Sequence, residues 1–220
     1  EVTGGGVKLY SGLSNFNVIA INPALAELHA LGINLKTEPN YYVEFNGEEY
    51  FKLTFWIKNE DLTTRMEILM QSKERVSKTG KNQWINNIGQ DTWADGVPTY
   101  DWWKNPVTSR KAYTGEETLI NFVKAWANVA YGDEVTVAIL ATNQVRLLVG
   151  VKDGKYQSVY LKCFGRVKPK RDDFFIKALN DEYSSFNAEF NTDLQWGTFV
   201  PQLAVLTPDE ETVSENDTWV

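Results

Sequence analysis

The chain has one cysteine, Cys163, and one histidine, His29, among its 220 residues. A lone cysteine excludes an internal disulfide, and one residue of each kind, 134 positions apart, excludes a Cys/His zinc site or a histidine metal cluster. No Gly-x-Ser-x-Gly elbow is present to supply a hydrolase nucleophile, and no glycine-rich loop of the phosphate-binding kind occurs. A carboxylate pair cannot be nominated among 29 acids, so the expectation is a protein that is not an enzyme and holds no metal or cofactor. No apolar run approaches the roughly 18 residues of a membrane span. The opening EVTGGGVKLY lacks the charged and apolar regions of a signal peptide, and the single thiol fits a reducing compartment, so the expected location is cytoplasmic.

What the chain does have is a concentration of positive charge. The formal net charge is -7, yet residues 144–171, QVRLLVGVKDGKYQSVYLKCFGRVKPKR, carry eight Lys or Arg against one acid, Asp153. Two β-rich runs meet there at Asp153-Gly154, a pair suited to the positive φ of a tight turn. On the second run Tyr156, Ser158, Tyr160, Lys162 and Phe164 alternate against Val159, Leu161 and Cys163, which reads as an aromatic and basic platform opposite a core face. Register decides whether the platform is continuous. Pairing Val151 with Lys155 brings Arg146, Leu148, Gly150 and Lys152 onto the Tyr156 face; pairing Lys152 with Lys155 splits the two sets. The alternation leaves both open.

Earlier in the chain, residues 7–21 read as a strand, with Phe16, Val18 and Ala20 alternating against Asn15 and Asn17. A short helix follows, with Asn22 as its cap, Pro23 at its first position and Gly32 at its end. Asn46-Gly47 then marks a hairpin whose returning strand, EEYFKLTFWIK, puts Phe51, Leu53, Phe55 and Ile57 on one face. The opposite face carries Tyr50, Lys52, Thr54, Trp56 and Lys58, again rings interleaved with Lys. Such rings also stabilise sheets by cross-strand pairing, at about 0.2–1 kcal/mol per pair. Residues 65–71 form a further strand with Met66, Ile68 and Met70 buried. A basic, glycine-containing connection with Lys73, Arg75, Lys78 and Lys81 leads to a β run containing Trp84, which could be ligand-facing or core. Residues 95–111 read as irregular and expose Tyr100, Trp102 and Trp103.

The period then changes. A capping box from Thr114 to Glu117 opens a helix over about 115–131 with Leu119, Phe122, Val123 and Trp126 on its apolar stripe. Residues 134–140 read as a strand, and a second amphipathic helix runs from Asp172 or Asp173 to about Phe190. From Leu206 the chain reads LTPDEETVSENDTWV; removing its five acids from the 29 leaves 24 against 22 bases. The acidity is largely a property of this end, which is expected to be a disordered tail. The resulting division is a domain over residues 1–205 and an acidic tail over 206–220.

Rings spaced by Lys on sheet faces, together with basic loops, make a coherent site for a single-stranded nucleic acid, because every base has a π face and cations follow the phosphates. Expected contacts are Tyr50, Lys52, Trp56, Lys58, Lys81, Trp84, Arg146, Lys152, Tyr156, Tyr160, Lys162 and Arg166. The order of strand, short helix, Asn-Gly hairpin, KTGKNQWINNIGQDTWADG, RKAYTGEETLINFVKAW and acidic tail resembles the single-stranded DNA-binding proteins of tailed bacteriophages. That resemblance covers most of residues 7–200. It implies a mainly β, α+β fold, an OB-like Greek-key β-barrel with two amphipathic helices. It also implies a role in DNA replication and recombination in the host-cell cytoplasm, with tail residues Asp217, Trp219 and Val220 docking a polymerase, helicase or recombinase. The chain lacks the His and Cys ligands of zinc-containing helix-destabilising phage proteins. A non-catalytic β module, carbohydrate-binding or phage structural, is the alternative that the many Trp leave open.

Overall fold

A computed structural model describes residues 8–70, 93–94, 97–98, 103, 115–166, 187–188 and 199–203; the side chains of 94, 162, 163 and 199–203 are excepted. Strict alternation builds its sheet. In β3 (Glu48–Lys58) Phe51, Leu53, Phe55 and Ile57 are buried on one face, as their period of two demands, and β4 (Thr63–Met70) buries Met66, Ile68 and Met70 beside them. β1 (Lys8–Ile21) adds Phe16, and β7 (Gln144–Lys152) adds Val145, Leu147 and Val149. Full burial of each such side chain contributes roughly 1.5–3 kcal/mol.

All pairings in the sheet are antiparallel. β2 (Tyr42–Phe45) and β4 flank β3; β3 pairs with β1, β1 with β7, and β7 with β8 (Tyr156–Arg166), while β9 (Phe199–Leu203) pairs with the start of β1. Long β1 changes partner along its length: residues 17–21 lie against β3, 12–17 against β7 and 8–12 against β9. Gly12, at φ 124°, sits where the β7 and β9 pairings meet. The sheet therefore curls, and its far strands β4 and β8 approach one another. The result is a mainly β, curled half-barrel with a few helices.

The helix expected after the strand over 65–71 spans Glu116–Ala127 (α2) and packs against β4, β7 and β8. Its apolar stripe is buried: Leu119, Phe122, Val123 and Trp126, with Phe122 4.7 Å and Trp126 6.3 Å from Phe55 between ring centres. The expected Thr114 cap is replaced by Gly115, in the left-handed region at φ 80° with no side-chain cap bond. The reason is proximity, since a Cβ on Gly115 would overlap the carbonyl oxygen of Leu69. Gly115→Ala should therefore destabilise the fold by about 2–4 kcal/mol, from left-handed backbone strain plus overpacking. A shift in urea midpoint reads this out.

Three local expectations are corrected. The helix α1 is Leu25–Ala30, capped by Ala24, and Asn22 ends β1: its Oδ1 accepts from Thr54 N at 2.6 Å and its N–H donates to Thr54 O. Of residues 134–140, expected as strand, 137–140 belong to helix α3 (Val137–Thr142), because Thr136 Oγ1 accepts from Ile139 N and Trp126 Nε1 donates to Asn143 O at the helix end. Trp103, expected to be exposed, is 1% exposed and donates from Nε1 to Asp133 O at 2.6 Å. A small ribbon of β5 (Trp93–Ala94) and β6 (Val97–Pro98) sets Trp93 against Phe55 and Trp126. The expected helix over 172–190 lies, apart from 187 and 188, outside the described residues, as do the basic connection and the tail. Among the described residues no helix is long and apolar enough to cross a membrane.

Candidate nucleic-acid interface

The face opposite the core is assembled from every other residue of four strands. β3 contributes Tyr50, Lys52, Thr54, Trp56 and Lys58. Lys58 stands beside Asn17 of β1, and Asn17 beside Gln144 of β7, so one row crosses three strands. Two positions along, Asn15 faces Arg146, whose Nε donates to Asn15 Oδ1 at 3.3 Å. Gly150 and Lys152 continue the same face along β7, and Lys152 pairs with Tyr156 at the mouth of the turn.

That turn decides the register question. Asp153 and Gly154 take φ values of 54° and 73°, and Lys155 N donates to Lys152 O at 3.1 Å. The first ladder pair is Lys152 with Tyr156, so Lys155 is an extra residue beyond a two-residue turn, and neither of the two expected pairings forms. The parity nevertheless joins Lys152 and Gly150 to Tyr156 and Ser158 on one face. Further along, Leu147 pairs with Phe164 while Val149 pairs with Val159, so β8 takes five steps where β7 takes two. An odd difference turns the strand over. Phe164, expected on the Tyr156 face, packs instead on the core, 5.3 Å from Phe122.

The same irregularity separates two expected cations. Arg166 pairs with buried Val145, while Arg146 pairs with Gly165, so the two arginines are on opposite faces. Arg166 Nη2 donates to Val129 O at 3.2 Å, beyond the C-terminal end of α2. Lys52 lies 3.8 Å from Glu67 Oε1, which also lies 3.2 Å from Arg65 Nε. One carboxylate among these three groups lowers the positive charge of that end. Nearby, burial raises the Tyr41 hydroxyl well above the ordinary phenol range and keeps it a donor to Pro23 O.

Among the expected stacking rings, Trp56 is 7% and Tyr160 1% exposed, so neither presents a ring face to solvent. Tyr50 and Tyr156 are half-buried, and Lys58 and Lys152 are exposed. Lys162 lies in β8 with its side chain outside the described residues; Lys81, Trp84, Asp217, Trp219 and Val220 lie outside them altogether. The structure thus brings Lys58, Arg146, Lys152 and Tyr156 onto one face, with Asn15, Asn17 and Gln144 between Lys58 and Arg146, and buried Leu148 and Gly150 between Arg146 and Lys152. Those amides were visible in the sequence as the polar half of an alternating strand, but their neighbours were not.

The chain matches no protein-family model, no curated protein and no solved structure. Cations spaced by amides on a curled sheet can track a phosphate chain, while a phenol ring at the rim offers a base one π face. Among the described residues no group of three His, Cys, Asp or Glu is placed to hold a metal ion.

Proposed function

We propose that this protein binds single-stranded DNA without sequence preference, with Lys58, Arg146 and Lys152 on the phosphates and Tyr156, assisted by Tyr50, against bases. The observation that carries the reading is the pairing of Lys152 with Tyr156 on the face that also holds Arg146 and Lys58. Strand order supports it. β1, β3 and β4 form a meander, α2 follows, and β7 returns to β1 before β8 approaches β4, an order compatible with the OB-type Greek-key barrel proposed here. In such barrels the second and third strands, the first loop and the last hairpin turn bind oligonucleotides. Their counterparts here are β3 and β4, residues 22–47, and the turn at Asp153-Gly154.

Protection of single strands during replication and recombination is the proposed role, with Asp217, Trp219 and Val220 of the acidic segment recruiting a polymerase, helicase or recombinase. A carbohydrate-binding module would use the same rings but has no need of the seven-charge excess over 144–171. Tyr156→Ala should weaken oligo-dT binding by about 1–3 kcal/mol, and Tyr156→Phe should retain most of it, since stacking needs the ring and not the hydroxyl. Equal affinity of the alanine variant and the parent in a fluorescence anisotropy titration would remove Tyr156 from the site.

A further inference from the structure

Three exposed polar side chains stand side by side where β3, β1 and β7 meet: Lys58 pairs with Asn17, and Asn17 pairs with Gln144. Residues paired directly across neighbouring strands bring their side chains within reach of one another, and two interstrand spacings separate Lys58 from Gln144 by about 10 Å. The nearby amides are committed within the fold. Asn15 Oδ1 accepts from Arg146 Nε, while Asn59 Nδ2 donates to Ser14 Oγ and its Oδ1 accepts from the N–H groups of Asp61 and Leu62. Asn17 and Gln144 make no side-chain hydrogen bond with another described residue, and Lys58 makes no ion pair with one, in contrast to Lys52 with Glu67.

A side-chain amide carries an acceptor oxygen beside a donor nitrogen. The Watson–Crick edge of every base also sets an acceptor beside a donor: N1 and the 6-amino group in adenine, N3 and the 4-amino group in cytosine, O4 and N3–H in thymine, O6 and N1–H in guanine. Half a turn of the amide about its last bond matches it to any of the four, so the contact needs no particular sequence. In a duplex those same atoms are already paired with the other strand. An amide that takes them is therefore open to unpaired bases alone, whereas phosphate contacts attract duplex and single strand alike.

We infer that Asn17 and Gln144 hold the Watson–Crick edge of an unpaired base whose phosphate lies against Lys58, and that this contact selects single strands over duplex. The inference rests on the nucleic-acid reading above and adds to it a source of strand selectivity that is indifferent to sequence. The base concerned is not the one stacked on Tyr156. Lys152, the ladder partner of Tyr156, is eight residues along β7 from Gln144, up to about 27 Å away.

The test compares oligo-dT with the same oligomer built from N3-methylthymidine, which keeps the phosphates and the stacking surface but replaces the Watson–Crick donor by a methyl group. Anisotropy titration of the full chain should show the methylated oligomer binding at least fivefold more weakly. Asn17→Ala/Gln144→Ala should bind oligo-dT at least fivefold more weakly than the parent, with an unchanged salt slope, and should no longer distinguish the two oligomers. Its preference for oligo-dT over a duplex of equal length should fall by a similar factor. Equal binding of the two oligomers by the parent, a double variant that still discriminates between them, or a lower salt slope in that variant would each overturn the inference while leaving single-strand binding intact. Absence of binding of either oligomer by the parent would instead overturn the nucleic-acid reading, and this inference with it.

Discussion

Replacing Gln157 by leucine is expected to cost about 3–5 kcal/mol of folding stability, because it strands three buried backbone groups at about 1–3 kcal/mol each before partial relaxation. The side chain, 6% exposed, reaches from β8 to the start of β1: its Oε1 accepts from Tyr10 N at 2.8 Å, and its Nε2 donates to Tyr10 O at 2.8 Å and Gly150 O at 3.0 Å. β7 pairs with β1 only as far as Gly12, so beyond that point the amide takes the place of a strand neighbour, offering one donor and one acceptor to Tyr10 as a peptide group would. Leucine keeps the volume and loses all three bonds. A drop in urea midpoint with an unchanged slope is the expected reading.

Gln157→Glu gives the same prediction a pH dependence. An ionised carboxylate could accept from Tyr10 N but would face the carbonyl oxygens of Tyr10 and Gly150 with nothing to donate. Burial and those two oxygens raise the folded-state pKa above the unfolded value of about 4.3. Stability relative to the parent is then best at pH below that unfolded value and declines as pH rises through the folded-state pKa. A variant whose deficit is independent of pH would show that the amide does not act through its donor.

The second large effect concerns charge. Neutralising Lys58, Arg146 and Lys152 together, as K58Q/R146Q/K152Q, should lower the slope of log K against log salt by about 2, from about 0.7 per phosphate contact on a single strand. At about 50 mM salt the same three contacts correspond to a loss of roughly two to three orders of magnitude in affinity. Lys58 is the most telling member, since it lies on β3 while the other two lie on β7, with β1 between them. Lys52→Gln should change the slope least, because Glu67 already accompanies that ammonium. Circular dichroism should be unchanged in the triple variant, as none of the three side chains enters the core.

Strand faces were legible because the side-chain period of two survives any tertiary context: Phe51, Leu53, Phe55 and Ile57 are buried as their spacing requires. The Asn46-Gly47 turn was legible for a local reason too, with φ values of 53° and 73° that few other pairs accept. Residues 137–142 were not. VAILAT suits a strand by propensity, and what makes it a helix is a distant partner, Trp126, fixed to Asn143 O. Nor could alternation reveal the slip in β8, since an insertion of odd length leaves no mark in composition yet sends Phe164 to the core and Arg166 to the opposite face from Arg146.

Exposure was the least legible property of the site. Trp56 and Tyr160 alternate with Lys along their strands and Trp103 precedes Lys104, yet all three are buried. Whether a ring on a strand is open depends on which other segment crosses it, and that is a property of the assembled sheet. Lys52 shows the same limit for charge. Its ion-pair partner, Glu67, is on the adjacent strand, two ladder pairs along from the Lys52–Leu69 pair.

Titration of the full chain with an oligo-dT while following intrinsic Trp fluorescence and anisotropy, repeated across a salt series, tests the central claim most directly. The account predicts saturable binding that weakens steeply as salt rises, with a slope that K58Q/R146Q/K152Q reduces and no response to a soluble glucan. Binding that is absent at low salt, or indifferent to salt and to the triple substitution, or replaced by a response to the glucan, would contradict it.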